Sequence, residues 1–199
     1  MRIVAGKWGG RTLRAPRGMA VRPTTDRVRE ALFGILGARV EGAAVLDLFG
    51  GTGALALESL SRGAASAFVS EADPAAFAAI GSNLSALGAE GVETFRGDYR
   101  KAIRRLAARG SRFGLVFLDP PYGKGLAAEA AVALDGAGLL AEGAWVVVEE
   151  SSKSPDAEFP AGWDIITDRR YGDTRVTILE VAAAPSTGGP RPGTEQAPR

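Results

Sequence analysis

From Ala44 onward the sequence repeats an apolar run, a glycine-containing turn and a helical stretch, and this repeat limits the fold more than any other feature. The repeat predicts strands at 45–49, 67–70, 92–96, 113–118 and 145–148, and helices near 54–62, 74–87, 100–109 and 126–135. Strands that alternate with helices in this way form a parallel sheet with helices on both faces. The sequence therefore predicts an α/β fold.

The carboxyl-terminal part breaks this repeat, because strand-like runs at 163–169 and 175–181 follow one another without a helix between them. The residues that join them, 170–174, predict an antiparallel hairpin. Residues 184–199 contain no apolar residue larger than alanine or proline. Such a segment cannot bury enough apolar surface to fold, so we expect a disordered tail there.

The amino-terminal segment, residues 1–22, is strongly basic. The first 30 residues hold eight basic and two acidic side chains, a net charge of +6, whereas the remainder has a net charge of −5. Short extended pieces separated by glycines predict a small β-hairpin appendage. A basic end on a mildly acidic body indicates a polyanionic partner. The main domain is expected at 23–183, and its first helix opens after Pro23 with Thr24 or Thr25 as the cap.

The chain has no cysteine and no histidine, which excludes thiol nucleophiles, disulfides, serine–histidine triads and nearly all zinc sites. Carboxylates, hydroxyls, amines, backbone groups or a cofactor must carry any chemistry, and we expect no metal. No apolar run is long enough to cross a membrane, and the amino terminus lacks the apolar region of a signal peptide. We expect a cytoplasmic monomer with no membrane partner.

The first predicted strand ends in Asp47 and runs into a glycine-rich turn at 50–53 that opens a helix. Glycines in such a turn allow a ligand to approach the backbone closely. Residues 51–56 also satisfy the dinucleotide fingerprint in its Gly/Ala form, and Glu71 follows about 20 residues later, where an NAD enzyme places its ribose acid. The glycine turn alone therefore leaves both an NAD enzyme and another nucleotide-like cofactor open.

Acidic residues at the ends of three strands favour S-adenosylmethionine. Asp47, Asp98 and Asp119 should converge, because the carboxyl ends of parallel strands share one edge of the sheet. We assign Asp47 to the amino end of the cofactor, Glu71 to the ribose hydroxyls and Asp98 to the adenine amine. Singly, each could be an ordinary strand-end residue, and it is their conjunction that favours a site. The candidate cofactor-binding residues are Asp47, Phe49, Gly50, Gly51, Thr52, Gly53, Glu71, Ala72, Asp98, Tyr99 and Asp119.

The buried run at 115–118 ends abruptly in Asp119-Pro120-Pro121-Tyr122. The prolines fix their own φ and carry no N–H, so this corner is stiff and rich in acceptors. A carboxylate, free carbonyls and an aromatic ring suit a flat group with an N–H2 donor, whose amine the oxygens hold while its ring stacks on Tyr122. An ordinary strand-ending turn is the alternative. The candidate catalytic residues are Asp119, Pro120, Pro121 and Tyr122.

Nucleic acid is a polyanion that fits the basic segment, and its cations would contact phosphates. Trp8 either stacks on a nucleobase or fastens the segment to the body, and the sequence favours neither. In the helix that follows, Arg27 and Arg29 lie off the apolar stripe. The candidate RNA-binding residues are Arg2, Lys7, Trp8, Arg11, Arg14, Arg22, Thr24, Arg27 and Arg29.

Residues 22–33, 46–55 and 58–64, together with the corner at 119–122, resemble the bacterial RsmD family of S-adenosylmethionine-dependent methyltransferases. The resemblance covers residues 1 to about 182, and the basic helix-opening motif is its most distinctive piece. It implies a class I methyltransferase fold, with a seven-stranded, mostly parallel sheet that ends in an antiparallel hairpin. The corner is less distinctive, because several amino-methyltransferases share it.

The resemblance also implies methyl transfer to the exocyclic N2 amine of a guanine in small-subunit (16S) ribosomal RNA, on an assembling subunit. Adenine-N6 methylation of nucleic acid, an NAD-dependent oxidoreductase and an RNA-binding assembly factor remain open alternatives. Cytosine-C5 methylation through a cysteine adduct is excluded by the lack of cysteine. Two residues depart from the family pattern. Gly9 stands where arginine is expected, which removes a phosphate contact. Gly50 replaces a common alanine, and we expect this change to be harmless.

Overall fold

The computed structural model describes residues 1–16, 26–121 and 125–182. Helices and strands alternate there as the sequence predicts. The elements are α1 (Asp26–Leu36), β1 (Ala44–Asp47), α2 (Ala54–Ser61), β2 (Ser66–Glu71), α3 (Pro74–Leu87), β3 (Val92–Arg96), α4 (Tyr99–Ala108), β4 (Phe113–Leu118), α5 (Leu126–Gly136), β5 (Leu140–Ser151), β6 (Trp163–Tyr171) and β7 (Thr174–Val181).

The described strands form one seven-stranded sheet in the order β3-β2-β1-β4-β5-β7-β6. Strands β1 to β5 pair in parallel, whereas β7 is antiparallel to both β5 and β6. The predicted α/β class with a terminal antiparallel hairpin is confirmed. Strand β5 is much longer than predicted: Glu142 and Gly143 interrupt the apolar pattern at its start, and the polar residues 149–151 at its end pair with β7.

Alternate residues of the central strands pack against two different helical layers. On β4, Leu115 and Phe117 join the core under α1 and α2, whereas Val116 and Leu118 join the core under α4 and α5. All four are at most 1% exposed. The ring of Phe33 on α1 lies 6.0 Å from that of Phe117. Burial on both faces explains why this strand is a continuous apolar run rather than an alternating one.

Residues 1–16 pack on α2 and α3, and their buried side chains Ile3, Trp8 and Leu13 belong to the same core as α1 and α2. The two arms of the predicted hairpin pair only briefly, through the antiparallel bridge of Arg2 with Thr12 and backbone hydrogen bonds such as that from the Ile3 N–H to the Arg11 carbonyl at 2.9 Å, and a 3-10 turn lies between them. Gly6 gives the reason, since it has a φ of +79° and a Cβ there would lie 1.8 Å from the Ser61 carbonyl oxygen. The chain turns into contact with α2 at this glycine instead of continuing as a strand.

Side chains of α2 hold this segment through its backbone. The fully buried Glu58 accepts hydrogen bonds from the N–H groups of Val4 and Ala5, at 2.6 and 3.0 Å. Trp8 is only 7% exposed, and its backbone N–H donates to Ser61 Oγ at 2.9 Å. Of the two interpretations of Trp8, this burial favours fastening of the segment to the body over stacking on a nucleobase.

Helix α1 buries an arginine among its apolar residues. Arg29 is 1% exposed, and its Nη2 donates to Asp26 Oδ1 at 2.8 Å and to the carbonyl of Arg2. The guanidinium is therefore held by groups inside the protein, which disfavours the predicted contact of Arg29 with phosphate. Arg27, on the other side of the helix, is exposed.

Several predictions concern residues outside the described ranges. These are the RNA contacts of Arg22 and Thr24, the stacking ring of Tyr122, the boundary between 22 and 23, and the tail at 184–199. Within the described ranges, none of the helices has the length and apolar character needed to cross a membrane.

Candidate active site

The carboxyl ends of the parallel strands meet at one edge of the sheet. Register places Asp47 beside Val69 and Phe117, and Leu118 beside Val148. The residues that follow these strands surround a cavity of about 530 Å³, within the ~300–1,000 Å³ usual for small-molecule sites. Its wall includes Phe49, Gly51, Thr52, Glu71, Ala72, Gly97, Asp98, Tyr99, Asp119 and Pro121. The glycine loop and the proline corner thus share one crevice.

The glycine loop, residues 50–53, exposes its backbone to the cavity. Gly51 and Gly53 have φ values of +55° and +80°, which side-chain-bearing residues rarely adopt. A Cβ on Gly51 would meet nothing within 4 Å, so this part of the loop is open to a ligand. Gly50 has a different role, because a Cβ there would lie 2.3 Å from Val69 Cγ1. Here the departure from the family pattern allows the loop to pack on β2.

Asp47 lies beneath the loop rather than on the cavity wall, and it is 1% exposed. Its Oδ1 has no hydrogen-bond partner among the described residues. Burial raises the pKa of Asp47 from 3.8 to about 7, and the charge of Glu71 adds to the rise, while backbone groups of Phe49 and Ala56 oppose it. A buried carboxylate with an unused oxygen next to an open glycine loop fits a ligand that carries a positive charge.

Glu71 ties the glycine loop to the turn after β2. Its two carboxylate oxygens accept hydrogen bonds from the N–H groups of Gly51 and Asp73, each at 2.7 Å. Each oxygen keeps a further lone pair, and the residue lines the cavity. These acceptor oxygens fit the predicted role of Glu71 toward ribose hydroxyls, so the residues around the cavity suit S-adenosylmethionine.

Asp98 caps helix α4, since its Oδ1 accepts from the N–H of Arg100 at 2.9 Å. Its Oδ2 also pairs with Arg100 Nη1 at 3.3 Å, and both side chains are partly exposed. Behind it the rings of Phe49 and Tyr99 lie 5.1 Å apart and form an aromatic wall. Burial raises the pKa of Tyr99 to about 12. The adenine contact of Asp98 stays a prediction, in competition with its capping role.

The proline corner follows β4 directly beside the glycine loop. The N–H of Leu48 donates to the carbonyl of Phe117 at 3.3 Å, which brings the end of β1 against the end of β4. Asp119 is half-buried, Pro120 is buried and Pro121 is exposed on the cavity wall. Asp119 and Pro121 therefore border the same cavity as Gly51.

Several wall residues were not among the cofactor-binding or catalytic predictions, and they include Met1, Arg29 and Glu149. Glu149 is 3% exposed and follows the buried centre of β5. Asp119 was selected because it follows a predicted strand, and the same criterion would have selected Glu149, which follows the predicted strand 145–148. Met1, whose Sδ lies 3.4 Å from Thr52 Oγ1, left no sequence signal, because only the docking of residues 1–16 brings it there.

The remaining predicted RNA contacts within the described residues are exposed cations. Lys7, Arg11, Arg14 and Arg27 are all exposed, and Arg11 Nη2 also bonds the carbonyl of Ala86 at 2.9 Å. Arg2 is exposed as well but pairs with Asp26, at 3.1 Å. Arg2 and Arg14 adjoin Met1 and Ala15, which line the cavity, whereas Arg11 contacts the last turn of α3, away from it. The described residues contain no group of three side chains suited to a metal ion.

Known proteins resemble this chain in sequence and in fold. A family model described as "Conserved hypothetical protein 95" matches residues 1–180. Ribosomal RNA small subunit methyltransferase D of Escherichia coli (strain K12) is 38% identical over 180 residues, which cover 90% of this chain and 89% of that protein. Putative rRNA methyltransferase YlbH of Bacillus subtilis (strain 168) is 34% identical over 184 residues, with coverage of 90% and 98%.

Among solved structures, a putative methyltransferase from Escherichia coli, yhhF, superposes with a TM-score of 0.84. It is 36% identical in sequence, and the match covers 92% of this chain and 99% of that chain. The likeness in fold therefore extends over most of both chains.

Proposed function

The chain belongs to the family described as Conserved hypothetical protein 95, and on that premise we propose that it transfers a methyl group from S-adenosylmethionine to the N2 amine of a guanine in small-subunit ribosomal RNA. The observation that carries the proposal is the single cavity that joins the glycine loop to Asp119 and Pro121. A methyl donor and an amine acceptor must lie within reach of each other, and one crevice provides that.

The cofactor, when bound, supplies an electrophilic methyl group on a sulfonium. The chain's own residues prepare the amine, which is a poor nucleophile because its lone pair is delocalised into the base. The Asp119 carboxylate and the Pro120 carbonyl each accept one N–H hydrogen bond, which holds the amine in one orientation. Asp119 need not be a strong base, since a methylated, positively charged amine loses its proton readily.

Binding of the cofactor falls to the glycine loop side of the cavity. The open backbone at Gly51 allows close approach, Glu71 accepts from ribose hydroxyls, and the aromatic wall of Phe49 and Tyr99 offers a flat apolar surface. Asp47 contributes a negative charge beneath the loop. Stacking of the target base on Tyr122, which lies outside the described residues, completes the predicted arrangement.

The relatives in this family carry methyltransferase names, which counts against the NAD-dependent oxidoreductase that the glycine loop alone left open. The exposed cations near the cavity favour a nucleic acid over a small molecule as the methyl acceptor. A ribosomal RNA substrate implies action in the cytoplasm. The monomeric state is a prediction that size-exclusion chromatography with light scattering tests directly.

The test is Asp119→Ala, assayed for cofactor affinity by calorimetry and for turnover with labelled cofactor on small ribosomal subunits from a strain lacking the endogenous enzyme. We expect turnover to fall by about 100-fold or more, with cofactor affinity nearly unchanged, because Asp119 acts on the amine. Asp164→Ala, an exposed residue on β6, serves as the control.

Equal losses of affinity and turnover in Asp119→Ala would contradict this role. Mass mapping of the labelled nucleoside decides between guanine-N2 and adenine-N6, and label on adenine would overturn the substrate assignment.

A further inference from the structure

Glu149 is a second carboxylate in the wall of the cavity that holds Asp119. Leu118 and Val148 are register partners on β4 and β5, so Asp119, just after β4, and Glu149, within β5, are the next pair along these parallel strands. Glu149 is 3% exposed, whereas its chain neighbour Glu150 is more exposed and does not line the cavity. The fold thus places two carboxylates side by side where the amine is expected to react.

Asp119 and Glu149 would face two different groups of a bound nucleobase, the exocyclic amine and the ring atom beside it. Guanine, adenine and cytosine all carry an exocyclic amine, but the ring atom beside that amine differs. In guanine the adjacent N1 carries a hydrogen and donates, whereas the adjacent ring nitrogens of adenine and cytosine are acceptors. An ionised carboxylate accepts hydrogen bonds and cannot donate them. A carboxylate next to the amine-binding residue therefore matches guanine and repels the other two bases.

We infer that Glu149 is a specificity-determining residue that accepts a hydrogen bond from guanine N1–H while Asp119 and the Pro120 carbonyl hold the N2 amine. This inference rests on the proposed function and adds the means by which guanine is selected. The shared Asp-Pro-Pro-Tyr corner recognises an amine only, so selection among amine-bearing bases needs a further group. Burial of Glu149 strengthens both the bond to N1–H and the repulsion of an acceptor, because few waters screen them.

The inference predicts strong discrimination against a base that keeps the amine but lacks the N1 hydrogen. The base 2-aminopurine is such an analogue of guanine, because its N1 is an acceptor. Ribosomal RNA carrying 2-aminopurine at the mapped position is prepared by ligation and assembled into particles, beside a guanine control. For the unmodified protein we expect kcat/KM to be about 10- to 100-fold lower on 2-aminopurine, as expected for loss of a hydrogen bond to a charged group.

Glu149→Gln tests the residue itself, because the amide has nearly the same shape but can either accept from N1–H or donate to an acceptor. We expect this variant to lose turnover on guanine and to reduce the preference for guanine over 2-aminopurine to about threefold or less, with cofactor affinity unchanged. Glu150→Gln is the matched control and should keep the full preference. A merely structural role for Glu149 would lower both rates together and leave their ratio intact.

Three outcomes overturn the inference. Equal rates of the unmodified protein on guanine and 2-aminopurine would do so without any variant, and an unchanged ratio in Glu149→Gln would do so for this residue. Absence of methyl transfer to guanine by the unmodified protein would instead overturn the proposed function, and the inference with it.

Discussion

Replacement of the buried Asp47 by asparagine should remove the pH dependence of stability that this residue imposes on the ligand-free protein. The pKa of Asp47 is raised from 3.8 to about 7, first by burial and then by Glu71. Below pH 4 the residue is protonated in both folded and unfolded chains. Between pH 4 and 7 the unfolded chain loses the proton and the folded chain keeps it, so stability falls as pH rises.

The size of this loss follows from the two pKa values. The difference between 3.8 and about 7 corresponds to about 4 kcal/mol above pH 7, at 1.36 kcal/mol for each pH unit. Asparagine has the shape of the protonated acid and no charge, so Asp47→Asn should abolish the loss. We expect the variant to be more stable than the natural sequence at pH 8, by up to about 4 kcal/mol, and similar to it at pH 4.

Urea unfolding from pH 4 to pH 8, without cofactor, measures both curves. The exposed Glu142→Gln is the control, and it should keep the pH dependence of the natural sequence. Cofactor affinity gives a second readout, because a cationic ligand group favours the ionised carboxylate. Binding to the natural sequence should strengthen as pH rises through 7, and Asp47→Asn should lose that rise. Parallel stability curves for the two proteins would refute the reasoning.

Two further predictions concern the amino-terminal segment and the RNA surface. Gly6→Ala should lower the free energy of unfolding by about 3 kcal/mol or more, because its positive φ disfavours alanine and the added Cβ would clash with Ser61. Gly10→Ala has a similar φ but open space around it, so it should cost only about 1–2 kcal/mol. Thermal unfolding measures both. Arg27→Glu should weaken RNA binding and lower the dependence of its affinity on salt, by about 0.7 in the slope of log K against log salt for each lost phosphate contact. Arg112→Glu, just before β4 at the opposite edge of the sheet, is the control and should leave affinity and slope unchanged. An unaltered slope for Arg27→Glu would contradict the prediction that this residue contacts phosphate.

The strand ends around the cavity were predictable because two simple rules act together. Alternation of strands and helices fixes a parallel sheet, and a parallel sheet gathers the carboxyl ends of its strands at one edge. Asp119 and Gly51 could therefore be placed near each other without any knowledge of contacts. Helix α3 (Pro74–Leu87) and strand β4 (Phe113–Leu118) were also located to the residue, because their apolar patterns are long and end at clear signals.

Features that depend on contacts distant in sequence were not predictable. Arg29 is polar by type, so its position off the apolar stripe indicated the surface, yet its Nη2 donates to Asp26 and to the Arg2 carbonyl inside the protein. The burial of Trp8 likewise depends on Ser61, far along the chain, which accepts a hydrogen bond from the Trp8 backbone N–H. Gly50 looked like a neutral replacement until the position of Val69 showed how little space exists there.

The position of Met1 in the cavity wall bears on how the protein should be produced for the assays above. An affinity tag fused to the amino end would start at the rim of the cavity and compete for the space that cofactor and RNA require. Tags placed there should be removed completely before kinetics are measured, since even a short remnant changes the wall. A remnant that left cofactor affinity unaltered would show that the rim tolerates additional chain.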